Sequence, residues 1–148
     1  MVEFIIQSLV VFALSVLELW LAIPVGLVMG LNPVAILVMS ILGAICGALI
    51  VARVGEKLRS WLSEKYGWDI LKKRQGIIHK IWQKYGVIGL GLLSPFLTGA
   101  PLGTALGIAL GIPRKKLLLW ISIGIILWGI GLTIAGAMGK PFIEDLIG

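Results

Sequence analysis

Along the chain, long uncharged runs alternate with short basic clusters, and the lengths of the runs set which elements can form. Residues 4 to 17 carry no charge, Glu18 follows, and 34 uncharged residues then pass before Arg53. Within that stretch Asn32-Pro33 reads as a helix cap with a first-turn proline, and residues 33 to 53 are long enough to cross a bilayer, with Gly43 and Gly47 on one face. A second such run covers residues 117 to 139, carrying Trp120, Trp128 and five glycines, and Lys140-Pro141 is expected to end it before a short tail.

Residues 86 to 113 are equally apolar but do not read as one helix. Pro95 and Pro101 bracket Thr98-Gly99-Ala100, and two prolines around a glycine free backbone groups that a continuous helix would satisfy. The flanks, residues 87 to 94 and 102 to 112, reach roughly 12 and 16 Å at about 1.5 Å per residue, against a hydrocarbon core of about 30 Å. That is the length of a re-entrant hairpin. Gly99, Gly103, Gly107 and Gly111 recur every fourth residue and offer a face for close helix packing. An ordinary spanning helix is the alternative, but it would put Lys72, Lys73 and Arg74 on the opposite side from Arg114, Lys115 and Lys116. The positive-inside rule favours both clusters in the cytoplasm.

The first third of the chain repeats this pattern. Pro24 is expected to break the helix after Glu18, with Gly26 and Gly30 following, and Ala22-x-Pro24-x-Gly26-x-x-x-Gly30 matches Gly99-x-Pro101-x-Gly103-x-x-x-Gly107 at an offset of 77 residues. Each copy is followed by a helix beginning at a proline, Pro33 or Pro113. A hairpin plus one span, repeated after a single crossing, gives two units of opposite orientation. The expected fold is an all-α integral membrane protein, one domain over residues 1 to 148. Residues 1 to 53 form a first repeat, 54 to 85 amphipathic linker helices, 86 to 139 a second, inverted repeat, and 140 to 148 a tail.

Composition agrees, with 59% hydrophobic and 14% charged residues and a mean hydropathy of +1.06. The net charge of +6 is local, since residues 53 to 84 hold nine Lys/Arg against three Asp/Glu. In that segment residues 54 to 66 group Val54, Leu58, Trp61 and Leu62, and residues 69 to 84 set Ile70, Ile77, Ile78, Ile81 and Trp82 opposite Lys72, Lys73, Lys80 and Lys84. Such faces suit the anionic membrane surface, and no aromatic-basic fold for nucleic acid accompanies them. His79 lies among the lysines, as a solvated surface residue or a proton carrier. Cys46 stands alone in an apolar run, which leaves no disulfide framework. No basic region precedes the first apolar run, so the first helix is expected to be retained.

Enzyme signatures are missing: the chain has no nucleophile-base pairing, no His/Cys ligand set and no nucleotide-binding glycine loop, and no cofactor is expected. The polar groups at membrane depth are Glu18, Ser94, Thr98, Thr104 and Asn32, joined by the backbone groups at the breaks, which are the usual coordinating groups of transporter sites. Ser94 beside Pro95 serves either a substrate or the freed backbone. Glu18 has the strongest functional case, because an acid at such depth is costly unless it faces protein or water, and it marks a route for protons or ions.

Glu18-x-x-x-Ala22-Ile23-Pro24-x-Gly26, Gly43, and Pro95-x-x-Thr98-Gly99-Ala100 before Gly111-Ile-Pro113-Arg-Lys-Lys resemble the small multidrug export protein family and, more distantly, the DedA (VTT, SNARE-associated) superfamily. The resemblance implies small prokaryotic membrane proteins with two re-entrant hairpins. DedA-type relatives move lipids, including a phosphorylated polyprenyl carrier. This chain departs from the export family at Trp20, where an arginine is usual, and at Ala44, where an asparagine is usual; it departs from DedA members at Pro95 and Pro101, where they carry arginines. Taken together, these features predict a multi-pass transporter or flippase of the cell membrane that moves an amphipathic substrate near Glu18, Thr98 and Ser94. The alternatives are a proton- or ion-coupled exporter of small cations and a non-catalytic assembly subunit. Membrane lipids and a second copy of the chain in a homodimer are the expected partners.

Overall fold

The computed structural model describes residues 1–66 and 86–147, and among these the chain is helix and connecting turn, without a strand. Helices α1 (Val2–Leu17), α2 (Leu19–Val28) and α3 (Pro33–Tyr66) make the first half. Helices α4 (Gly86–Leu97), α5 (Ala100–Ala109) and α6 (Arg114–Ile147) make the second. The surface helix expected over residues 69 to 84, with Lys72, Lys73, Arg74 and His79, lies outside the described residues.

Glu18 separates α1 from α2 with an extended backbone, φ −142° and ψ 107°. The arms then fold back on each other: the Gln7 side-chain amide donates to the Met29 carbonyl at 3.2 Å, and these two residues lie eleven positions either side of Glu18. This corrects the expected break at Pro24 and Gly26, both of which sit inside α2. Proline there removes one hydrogen bond, to the Trp20 carbonyl, in a helix that has only just begun, and one missing bond does not end it. Pro95 likewise lies inside α4. The second break falls at Thr98-Gly99, where Gly99 takes φ 81° and ψ 153° and Pro101 occupies the second helical position, whose amide would have no intrahelical acceptor anyway.

Asn32 caps α3 as expected, its side-chain oxygen accepting from the Val34 amide at 2.9 Å. Two other expected boundaries do not occur. From the apolar run into the basic one, α3 is continuous past Arg53, so the change at that residue is one of surroundings and not of backbone. Helix α6 continues through Lys140 and Pro141 to Ile147, because Pro141 costs only the bond to the Ala137 carbonyl. The stretches Pro33–Trp61 and Arg114–Gly139 are long and apolar enough to cross a membrane, the most apolar 18 residues of each having mean hydropathies of 2.8 and 2.3.

Glycine sets the spacing between helices. A Cβ at Gly43 would collide with the Phe12 carbonyl and the Ser15 side chain, and one at Gly47 with the Val16 carbonyl, so α1 lies directly on α3 and runs parallel to it. Gly91 and Gly124 bring α4 against α6; Pro95 cannot donate to the Gly91 carbonyl, which instead faces Gly124. Gly103 meets Ser94 and Gly107 meets Leu117, so the expected packing face is occupied within the chain. Only these two of the four glycines lie in α5, while Gly99 and Gly111 flank it with positive φ. Gly129 against Leu37 and Ile41, and the Glu56–Arg114 ion pair at 3.1 Å, make α3 and α6 antiparallel. Val11, Leu19, Ile23, Ile36, Ile108, Leu117, Ile121 and Ile125 fill the space between them.

Helix starts and buried positions recur at a spacing other than 77. Helices α2 and α5 are ten residues each and begin 81 positions apart, as do α3 and α6. Buried positions keep that spacing: Leu19, Ala22, Ile23 and Gly26 with Ala100, Gly103, Thr104 and Gly107, and Ile36, Ser40, Ala44 and Ala52 with Leu117, Ile121, Ile125 and Thr133. The four-residue discrepancy arises because Pro24 is the sixth residue of α2 and Pro101 the second of α5. At the spacing of 81, Glu18 corresponds to Gly99.

Candidate functional site

The two breaks meet. A Cβ on Gly99 would lie 3.1 Å from the Leu17 carbonyl oxygen and 3.6 Å from Glu18 Oε1, so the first hairpin's tip rests on the second's. Helix α3 supports both at Gly47, which touches the Val16 carbonyl and lies against the Pro101 ring. Glu18 is half-buried, and among the described residues its carboxylate has no hydrogen-bond or ion-pair partner. Its backbone is engaged, the amide donating to Leu14 at 2.8 Å and the carbonyl accepting from Ala22 at 3.3 Å. The N-termini of α2 and α5 both begin at this junction, and their partial positive charges fall on the carboxylate. The C-terminal carbonyls of α1, those of Val16 and Leu17, reach the same place. An acid between two helix N-termini, with helix-end carbonyls beside it, can hold a proton or a cation and exchange one for the other.

The other expected site residues divide. The Thr98 hydroxyl donates to the Ser94 carbonyl at 3.4 Å, beside the bond from its own amide at 3.0 Å, so Thr98 closes the end of α4. Thr104 donates to the Ala100 carbonyl at 2.7 Å within α5. Ser94 is buried at 3% exposure and packed on Gly103, and among the described residues its hydroxyl has no hydrogen-bond partner. Pro24, Gly26 and Pro95 lie within helices and shape the arms instead of the tips. Arg114, Lys115 and Lys116 open α6 at the end where Glu56 lies, away from the tips. Sequence reasoning missed the Leu17 carbonyl and Gly47. The signal for Gly47 was its spacing of four from Gly43, read only as packing.

A family model described as "Putative small multi-drug export protein" matches residues 18–130. The chain belongs to that family. The region matched to the small multi-drug export model begins at Glu18 itself and takes in both breaks, all of α3 and the apolar part of α6 as far as Ile130. Membership, together with the two long apolar helices, makes this a membrane protein. Comparisons with curated proteins and with solved structures find no match.

Proposed function

We propose that this protein is a multi-pass exporter of the cell membrane that exchanges protons for a small cationic compound at the hairpin junction. The observation that carries the reading is the Glu18 carboxylate, lodged against Gly99 where the two helix breaks meet, with no cation of the chain neutralising it among the described residues. Ionised Glu18 pairs with the cationic substrate; a proton arriving from outside displaces it, and loss of that proton to the inside resets the site. Each turn moves one proton against one substrate charge. The family's description concerns drug export, so we place this ahead of the lipid translocation that the more distant resemblance implies.

On this reading α1–α2 and α4–α5 are re-entrant hairpins of an inverted repeat. Supporting it are arms too short to span, the antiparallel α3 and α6, and burial that recurs at 81 residues. The test is export of a fluorescent cation by the purified protein in liposomes under an imposed pH gradient. Glu18→Gln keeps the shape and removes the exchangeable proton, and is expected to abolish gradient-driven export while the variant still inserts and melts like the parent. Undiminished, gradient-driven export by Glu18→Gln would rule this mechanism out.

A further inference from the structure

About two-thirds of the way along α3 from its cap, Arg53, Val54, Glu56 and Lys57 form with Arg114 of α6 an open cleft of about 390 Å³. Three cations and one carboxylate line it. Glu56 pairs with Arg114 at 3.1 Å, which leaves Arg53 and Lys57 exposed and without an ion pair among the described residues. These two cations lie one turn apart on α3, where like charges at i and i+4 repel. An unbalanced cationic pair lining this open cleft calls for an anion. Arg114 also stands at the start of the 34-residue helix α6, whose N-terminus adds partial positive charge and free backbone donors.

The position selects the kind of anion. Arg53 is the first charge after the uncharged run of α3, and Arg114 the last residue but two before that of α6, so the cleft lies at the boundary of both apolar segments. Val54, 59% exposed, forms its apolar wall. A ligand suited to this place has a phosphate for the guanidinium and ammonium groups and an acyl chain to lie along the apolar helices below. We propose that this α3–α6 cleft binds the phosphate headgroup of an anionic phospholipid through Arg53, Lys57 and Arg114. The site is separate from the hairpin junction and does not depend on the export reading.

The test titrates the detergent-solubilised full chain with short-chain phosphatidylglycerol, short-chain phosphatidylcholine and inorganic phosphate, following the melting temperature. Phosphatidylglycerol is expected to raise it saturably and phosphatidylcholine to leave it unchanged. The double variant Arg53→Gln/Lys57→Gln is expected to bind phosphatidylglycerol about thirtyfold more weakly, at about fivefold per cation removed. Glu56→Gln removes the opposing charge and is expected to bind it several-fold more tightly. Unchanged affinity in the double variant would overturn the site, and saturation by inorganic phosphate with no preference for the lipid would overturn the lipid assignment.

Discussion

Gly99 is the residue on which the junction depends. Its φ of 81° with ψ of 153° belongs to a region that essentially only glycine occupies, and a Cβ there would lie in tight contact, 3.1 Å, with the Leu17 carbonyl oxygen. Gly99→Ala is therefore expected to destabilise the protein by about 1–3 kcal/mol, read as a lower melting temperature in detergent. Gly89 is the matched control: a Cβ there meets nothing within 4 Å, and Gly89→Ala in the body of α4 should be neutral or stabilise by up to about 1 kcal/mol. Equal melting of the two variants would mean that the tips do not need this contact. At this scale Glu18 was legible, because a lone acid between uncharged runs is conspicuous. Its place at the break between α1 and α2 was not, since an extended backbone at a non-glycine residue leaves no mark in sequence, and the proline six positions on drew the expected break away.

The elements teach a related lesson about proline. Five prolines lie inside or at the start of helices, and none of Pro24, Pro95 or Pro141 ends one, because each leaves only a single carbonyl without its helical donor. The existence of two long apolar helices and of broken helices around them could be read from run lengths. Where α3 and α6 end could not, since a helix leaving an apolar phase has no reason to stop at the first charge. Close approach is the second rule of the elements. Gly43→Leu would drive a side chain into the Phe12 carbonyl and Ser15, and is expected to lift α1 from α3 at a cost of about 1–3 kcal/mol or more in thermal stability. Melting equal to the parent would place that face of α3 in contact with lipid instead. Between α4 and α6 the Trp128 indole donates to the Leu92 carbonyl and stacks on Phe96 at 4.4 Å. Trp128→Phe should keep the stacking and lose about 0.5–1.5 kcal/mol from the hydrogen bond, again measured by melting.

For the whole molecule, the antiparallel α3 and α6 put Lys57 and Lys115 at one end and Asn32 at the other. With Cys46→Ala as background, Lys57→Cys and Lys115→Cys should react with an impermeant maleimide from the same side of sealed vesicles, and Asn32→Cys from the opposite side. Labelling of Lys57→Cys and Lys115→Cys from different sides would break the arrangement. Glycine and proline spacing set the likeness between the halves four residues away from the spacing of 81 at which helix starts recur, because prolines were read as markers of breaks that Pro24 and Pro95 do not make. Chain order adds something that holds for both halves, since each hairpin comes before the long helix that carries it. When α1 and α2 leave the ribosome, the Met39 carbonyl that accepts from Ser15 and the glycines at 43 and 47 have not yet been made. The contacts that seat the first hairpin on α3 therefore form only after residues 39 to 47 are synthesised, and those that seat the second form only after residues 117 to 124 of α6. In both halves the short helices thus reach their final packing only once the long helix that follows them in the chain exists.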